Sequence, residues 1–170
     1  MVALSSFAMQ DRAPDKSATN AAPAAAAAGI KLKFVRADSE EKISEDGQGA
    51  NAVDGDPDTS WSTQSSGESP PLPHEIVIEL IPPSTIKGFT YLPRQDGQPN
   101  GTIKDYEFYL SDDDKNFGLP VSRGTFAEGQ EKKTVAFEPK KGRFIKLKAI
   151  SEINDNPWTS AAEINVIPSD

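Results

Sequence analysis

The run His74-Glu-Ile-Val-Ile-Glu-Leu-Ile81 alternates polar and apolar residues, so that Ile76, Ile78 and Leu80 fall on one face of an extended chain. The run Arg143-Phe-Ile-Lys-Leu-Lys-Ala-Ile150 reads the same way: Ile145, Leu147 and Ala149 share one side, while Lys146 and Lys148 take the other. A period of two is the pattern of a half-buried strand. Working outward, Lys31–Val35, Thr85–Leu92, Ile103–Ser111, Val121–Thr125, Lys133–Phe137 and Ala162–Ile167 are short alternating or β-branched runs bounded by Gly, Pro, Asp and Asn. No long 3.6-residue period follows Ile30. About eight main strands separated by turn signals predict an all-β sandwich of two packed sheets. Gly47–Asp54 permits one helical turn, and the polar, proline-rich Ser62–Pro73 reads as an exposed crossing loop.

The 170 residues suffice for one domain with a core, plus a tail. Residues 1–29 differ in kind. They hold Ala21, Ala22 and Ala24–Ala28, broken by Pro14 and Pro23, and their Asp11, Arg12, Asp15 and Lys16 cancel. They are expected to be a disordered leader, either a signal-peptide remnant centred on Val2–Met9 or an Ala/Pro-rich linker, with the folded domain spanning 30–170. The net charge of −8 therefore belongs to the domain and argues against nucleic acid or acidic ligands as partners. No apolar run of 18 residues is present, so a membrane-spanning helix is not expected. Without Cys, and with one His, the chain lacks disulfides, thiolate metal sites, a Cys nucleophile and most histidine catalysis. Oxygen chemistry remains, in the form of carboxylates and carbonyls suited to a hard cation.

Such oxygens concentrate in Asp54-Gly-Asp-Pro-Asp-Thr-Ser-Trp61. An EF-hand is excluded: counted from Asp54, its sixth position is Thr59 instead of Gly and its twelfth Ser65 instead of Glu. Asp-Gly-Asp-Pro is also ordinary turn chemistry, so the residues alone leave both readings open. The second acidic run, Asp112–Asn116, has Phe117 at the sixth position and reads as an exposed turn. The pairs Lys132/Lys133, Lys140/Lys141 and Lys146/Lys148 read as exposed faces and turns.

Several pieces occur in a familiar order. They are Asn51–Thr63 (NAVDGDPDTSWST), Pro73–Leu80 (PHEIVIEL), Gly88–Gly97 (GFTYLPRQDG), Asn100–Ser111 (NGTIKDYEFYLS), Arg143–Leu147 (RFIKL) and Pro157–Val166 (PWTSAAEINV). Together, over about residues 31–167, they resemble the coagulation factor V/VIII type C, or discoidin, domain, and more narrowly its bacterial members grouped with family 32 carbohydrate-binding modules. The resemblance implies a galactose-binding-like jelly roll with a structural calcium clasped between the acidic turn and the last strand. Its ligands would be the carboxylates of Asp54 and Glu163, the hydroxyl and carbonyl of Thr59, and the carbonyls of Asn51, Asp56 and Ala162. Such a cation would close the two ends of the domain as a disulfide does elsewhere.

Sugar-binding members of that family use a His, an Arg, an Asn and one or two aromatics on loops at one end of the sandwich. Planar polar groups pair with sugar hydroxyls, and an aromatic ring takes the apolar sugar face. The resemblance assigns Arg94, Asn100 and Trp158 to these places. The His is missing, since Ser62-Thr63 follow Trp61, and Ser65-Ser66-Gly67 stand where an aromatic is often found. Each assigned residue also has a plain structural reading: Arg94 as an ion-pair partner of Asp96 or Glu107, Asn100-Gly101 as a hairpin turn, Trp158 as a rim aromatic. Trp61 reads as core and His74 as structural. The implied function is a non-catalytic module, secreted, periplasmic or on the cell surface, that recognises a terminal, galactose-type sugar on a glycan. The alternative is a protein or surface adhesion module using the same loops, or a subunit of an extracellular assembly.

Overall fold

A computed structural model describes residues 24–169. Among the described residues eight strands form: β1 (Lys31–Ala37), β2 (Trp61–Ser62), β3 (His74–Leu92), β4 (Asp105–Ser111), β5 (Ser122–Thr125), β6 (Lys133–Ala149), β7 (Ser160–Ala161) and β8 (Glu163–Pro168). Gly49–Val53 forms a 3-10 turn, within the stretch where one helical turn is expected. β3 and β6 each fuse two of the expected strands, and β2 and β7 are additional two-residue strands.

The fusion explains the architecture. The N-terminal arm of β3 pairs with β1 (Leu32↔Leu80, Phe34↔Ile78) and with the C-terminal arm of β6 (Ile76↔Leu147, Ile78↔Ile145). That arm of β6 then carries β4 and β5. Beyond a register break between Glu79 and Ser84, the C-terminal arm of β3 pairs instead with the start of β6 and with β8 (Phe89↔Val135, Phe89↔Val166). The break falls where Pro82 and Pro83 cannot donate to the ladder, and both prolines are exposed at the corner. Across the corner, a Cβ on Gly142 would lie 2.6 Å from Leu110, so that close approach needs a glycine.

All strand pairings are antiparallel, and the two arms fold face to face as an all-β jelly-roll sandwich. Between them, Phe89 from one layer stacks on Phe108 from the other with centroids 4.0 Å apart and planes within 2°. Ile76, Ile78, Leu80, Ile145, Leu147 and Ala149 are buried on that inner face, as the alternation requires. Trp61 is also core, with its indole N–H donating to the Ser39 carbonyl at 2.9 Å.

Two sequence expectations need correcting. The helical turn α1 (Ala24–Ala27) packs Ala25 into the core beside β8, so the folded unit begins before residue 30, while residues 1–23 of the expected leader (1–29) lie outside the described residues. Lys133 is buried, donating to the Glu128 carbonyl at 3.3 Å, and Lys146 lies 4.5 Å over the Tyr109 ring, roofing a small aromatic cluster on the outer face. Alternation alone places these stems outward; it does not reveal the loops that fold over them.

Truncation of Phe89 to Ala removes the ring that joins the layers. It is expected to cost about 3–5 kcal/mol, read as a lower urea midpoint with an unchanged slope.

Candidate functional site

Four chain segments converge at one end of the sandwich. Leu92 ends β3 and delivers Pro93-Arg94, the turn Asn100-Gly101 approaches β7, β2 carries Ser62, and β7 follows Trp158-Thr159. Backbone pairing locks them together. Ser62 lies opposite Ser160, Ser160 N–H donates to the Gly101 carbonyl (2.8 Å), and Thr63 N–H donates to the Thr159 carbonyl (2.9 Å). Gly101 has φ +85°, and a Cβ there would come within 2.7 Å of Ser160 Oγ, so glycine is required for this closure.

The convergence leaves a cavity of about 280 Å³ lined by Arg94, Asn100, Trp158, Ser62, Thr159 and Glu45, among others. All three sequence-predicted ligand residues therefore share one pocket. Its size lies near the lower end of small-molecule sites, about 300–1,000 Å³. Arg94 Nε lies 2.9 Å from one Asp96 oxygen, its Nη2 reaches the other at 2.5 Å, and Nη2 also meets Glu45 at 3.2 Å. The hydrogen bonds it donates to Asp96 raise the Arg94 pKa above its ordinary value, and Arg94 in turn lowers that of Asp96. The structural partner expected for Arg94 is thus Asp96, joined by Glu45 instead of Glu107. Asn100 is exposed, and its side-chain amide bonds to none of the described residues. The Trp158 ring is half-buried, fixed by an indole N–H donated to Ser69 Oγ at 2.8 Å. Where the resemblance would place His, Ser62 is 5% exposed and Thr159 beside it 1%, and neither hydroxyl has a partner among the described residues.

Buried charged groups that sequence reading did not single out hold these loops. The Glu41 carboxylate accepts hydrogen bonds from the amides of Ile43 (2.8 Å), Ser44 (3.1 Å), Ser65 (2.9 Å) and Ser66 (2.8 Å), and from the Ser66 hydroxyl. The Ser66 hydroxyl and these amides hold its pKa well below the usual carboxylate range, against burial. Glu152 accepts from Gly101 N–H (3.0 Å) and from the amides of Asn154 and Asn156, tying the Asn100 turn to the Trp158 loop. Its signal in sequence is absent, because all three partners are backbone amides.

His74 is fully buried and structural, as expected. Nδ1 lies 2.7 Å from Asp38, while Nε2 lies 2.9 Å from the Pro157 carbonyl and 3.2 Å from the Pro70 carbonyl. Acceptors on both nitrogens require the imidazolium, with both ring N–H groups donating. Burial pulls its pKa down, but Asp38 and then the two carbonyls push it further up, leaving it above the usual histidine value.

Next to the pocket lies the acidic turn. Asp54 Oδ1 accepts from Asp56 N–H (2.8 Å), Thr59 Oγ1 donates to Asp54 Oδ2 (2.8 Å), and Gly55 N–H donates to Glu163 Oε1 (2.7 Å) across the gap to β8. Asn51 caps the turn, its amide donating to the Asp46 and Ser60 carbonyls, and Ala162 is buried just before β8. The Asp56 carbonyl accepts the Thr59 N–H at 3.2 Å. Partial burial, then the nearby Asp54 charge, push the Glu163 carboxyl up to about 7. Two carboxyls that repel, a hydroxyl and nearby carbonyls are a donor set that a hard cation fits. Among the described residues no group of three His, Cys, Asp or Glu side chains could hold a metal ion, so such a shell depends on the hydroxyl and backbone oxygens.

A rigid β-scaffold with a small polar pocket and an aromatic wall on its loops has the build of a binding module. The F5/8 type C domain family matches residues 35–164, and the chain belongs to that family. The module CpGH89CBM32-5 of Clostridium perfringens, solved in complex with GalNAc-β-1,3-galactose, is 34% identical and superposes with a TM-score of 0.70, covering 82% of this chain and 96% of that one. The family 32 carbohydrate-binding module of Clostridium perfringens NanJ, solved in complex with galactose, is 28% identical with a TM-score of 0.65, covering 82% and 93%. A galactose oxidase of Gibberella zeae is 42% identical over 116 residues, which are 68% of this chain and 17% of that protein. The chain thus spans about a fifth or less of the curated relatives it matches.

The His74 tie predicts a pH dependence. Because its folded-state pKa is raised, its contribution to stability is complete below the unfolded value of about 6.5 and is lost as pH rises through the folded value. The advantage in Tm of the native protein over His74→Gln should shrink as pH is raised through the range above about 6.5. An advantage constant over that range would contradict the imidazolium.

Proposed function

We propose that this chain is a non-catalytic carbohydrate-binding module that captures a terminal galactose-type sugar of a glycan in the pocket of Arg94, Asn100 and Trp158. The observation that carries the reading is that these three residues, from three separate segments, line one cavity of monosaccharide size. Arg94 and the unengaged Asn100 amide offer paired hydrogen bonds to vicinal hydroxyls, and the Trp158 face offers a surface for the ring C–H groups. The family 32 relatives bound to galactose and to GalNAc-β-1,3-galactose support the same class of ligand.

Charge selects within that class. The Arg94 cation faces two carboxylates, Asp96 and Glu45, which leaves the pocket with excess negative charge. A neutral sugar suits it better than a sialic or uronic acid. Glycan capture would operate outside the cytoplasm, in a secreted, periplasmic or surface-attached protein. Among the described residues no helix is long and apolar enough to cross a membrane. A shallow preformed site binds one sugar weakly, and tethering to other modules would raise the effective concentration. In the competing reading as a protein adhesion module, the same loops would meet a polypeptide.

The acidic turn holds a structural calcium in this proposal. Asp54, Glu163 and the Thr59 hydroxyl with its carbonyl, completed by the carbonyls of Asn51, Asp56 and Ala162, would supply the shell. The ion neutralises the Asp54 and Glu163 charges and ties the turn to β8. It takes no part in chemistry.

Arg94→Ala and Trp158→Ala should each weaken binding of galactose or N-acetylgalactosamine by about tenfold or more, by titration calorimetry, with Tm little changed. Retained sugar binding in Arg94→Ala would refute this pocket, and capture of polypeptide without sugar would favour the adhesion reading. Calcium at about 100 times its Kd should raise Tm by roughly 5 °C or more. Chelator should reverse the gain and Glu163→Gln should abolish it; a Tm indifferent to calcium would remove the metal assignment.

A further inference from the structure

Beside the sugar pocket lies a second hollow, of about 490 Å³, lined by Lys42, Ile43, Ser44, Glu45, Asp46 and Gln48. The two share Ser44 and Glu45, and Glu45 is the residue whose carboxylate meets Arg94 at 3.2 Å. Ile43 is 78% exposed at this edge. The backbone that presents it is fixed. Glu41 and Gly47 form an isolated bridge that closes the base of the loop, and the Glu41 carboxylate accepts both the Ile43 and Ser44 amides. Gln48 donates to Asp46 at 2.9 Å, fixing the far wall.

From this placement we infer that Ile43 and its hollow form a second subsite, which takes the next sugar of a glycan whose terminal ring occupies the Arg94 pocket. The inference rests on the reading of that pocket as a sugar site. A second ring leaving the pocket past Glu45 meets an apolar side chain for its C–H face and, on the other wall, the Asp46 and Gln48 side chains for its hydroxyls. The loop is fixed by the buried Glu41 before any ligand arrives, so little conformational entropy is lost on binding. A flexible loop with the same residues would lose most of the gain to ordering.

The test compares N-acetylgalactosamine with GalNAc-β-1,3-galactose on the full chain, by titration calorimetry, in the native protein, Ile43→Gln and Arg94→Ala. The disaccharide is expected to bind about three- to tenfold more tightly than the monosaccharide. Ile43→Gln should cancel that advantage and leave the monosaccharide unchanged, whereas Arg94→Ala should weaken both. Equal affinity of the two sugars for the native protein, an undiminished advantage in Ile43→Gln, or equal weakening of both sugars by it, would each overturn the second subsite while leaving the first intact. Failure of the native protein to bind either sugar, or indifference to Arg94→Ala, would overturn the pocket reading and the subsite with it.

Discussion

The pairing of β3 with β6 is the constraint on which the rest depends, because each of these strands belongs to both layers. A sandwich whose sheets share no strand is held by side-chain packing alone. Here the backbone ladder itself runs through the corner, from Ile76↔Leu147 in one layer to Phe89↔Val135 in the other. Face-to-face contact between Phe89 and Phe108 then needs no large adjustment, since the covalent path sets the spacing of the layers. The end of β3 is fixed by the same pairing, and Arg94 stands two residues beyond it.

Rigidity of the loops has a different source. Among the described residues no sheet reaches 41–47, 64–72 or 152–158, and their order comes from buried polar side chains whose hydrogen bonds go largely to the backbone. Glu41 gathers two loops, Glu152 gathers two more, and the His74 imidazolium joins Asp38 to the carbonyls of Pro70 and Pro157. A buried charge is tolerated only when its bonding capacity is met, and meeting it with backbone groups determines the course of the chain. The pocket is therefore organised in advance by residues that do not line it.

The pattern of what could be read in the sequence follows from this division. Period-two alternation shows each strand's inner face, so Ile76, Ile78, Leu80, Ile145 and Leu147 were legible, as was the core position of Trp61. Arg94, Asn100 and Trp158 were legible only through the order of several motifs, since Trp158 lies 64 positions after Arg94 and no local pattern links them. Glu41, Glu45 and Glu152 were not legible. Glu41 and Glu152 cap backbone amides and look like any solvated glutamate, and Glu45 meets Arg94 across 49 positions with no local pattern to link them. The helical turn at Ala24–Ala27 was hidden by its alanine-rich composition, which reads equally as linker.

The acidic turn and the pocket lie too close together to be independent. Asn51, Asp58 and Thr59 share a hollow with Arg94, Asp96 and Glu45, and the turn passes through Ser60 and Trp61 directly into Ser62 beneath the pocket. At the edge of β8 the Gly55 N–H reaches Glu163 across the gap, and partial burial with the neighbouring Asp54 charge pushes the Glu163 carboxyl up. A calcium there would thus act on recognition as well as stability. By neutralising the turn it would reduce the negative potential around Arg94, which favours ligand hydroxyls as acceptors at the guanidinium. By fixing residues 54–59 it would also steady β2, whose pairing with β7 positions Ser62 and Ser160. The link is geometric: the turn and the pocket floor are consecutive residues of one chain, so ordering the first limits the freedom of the second.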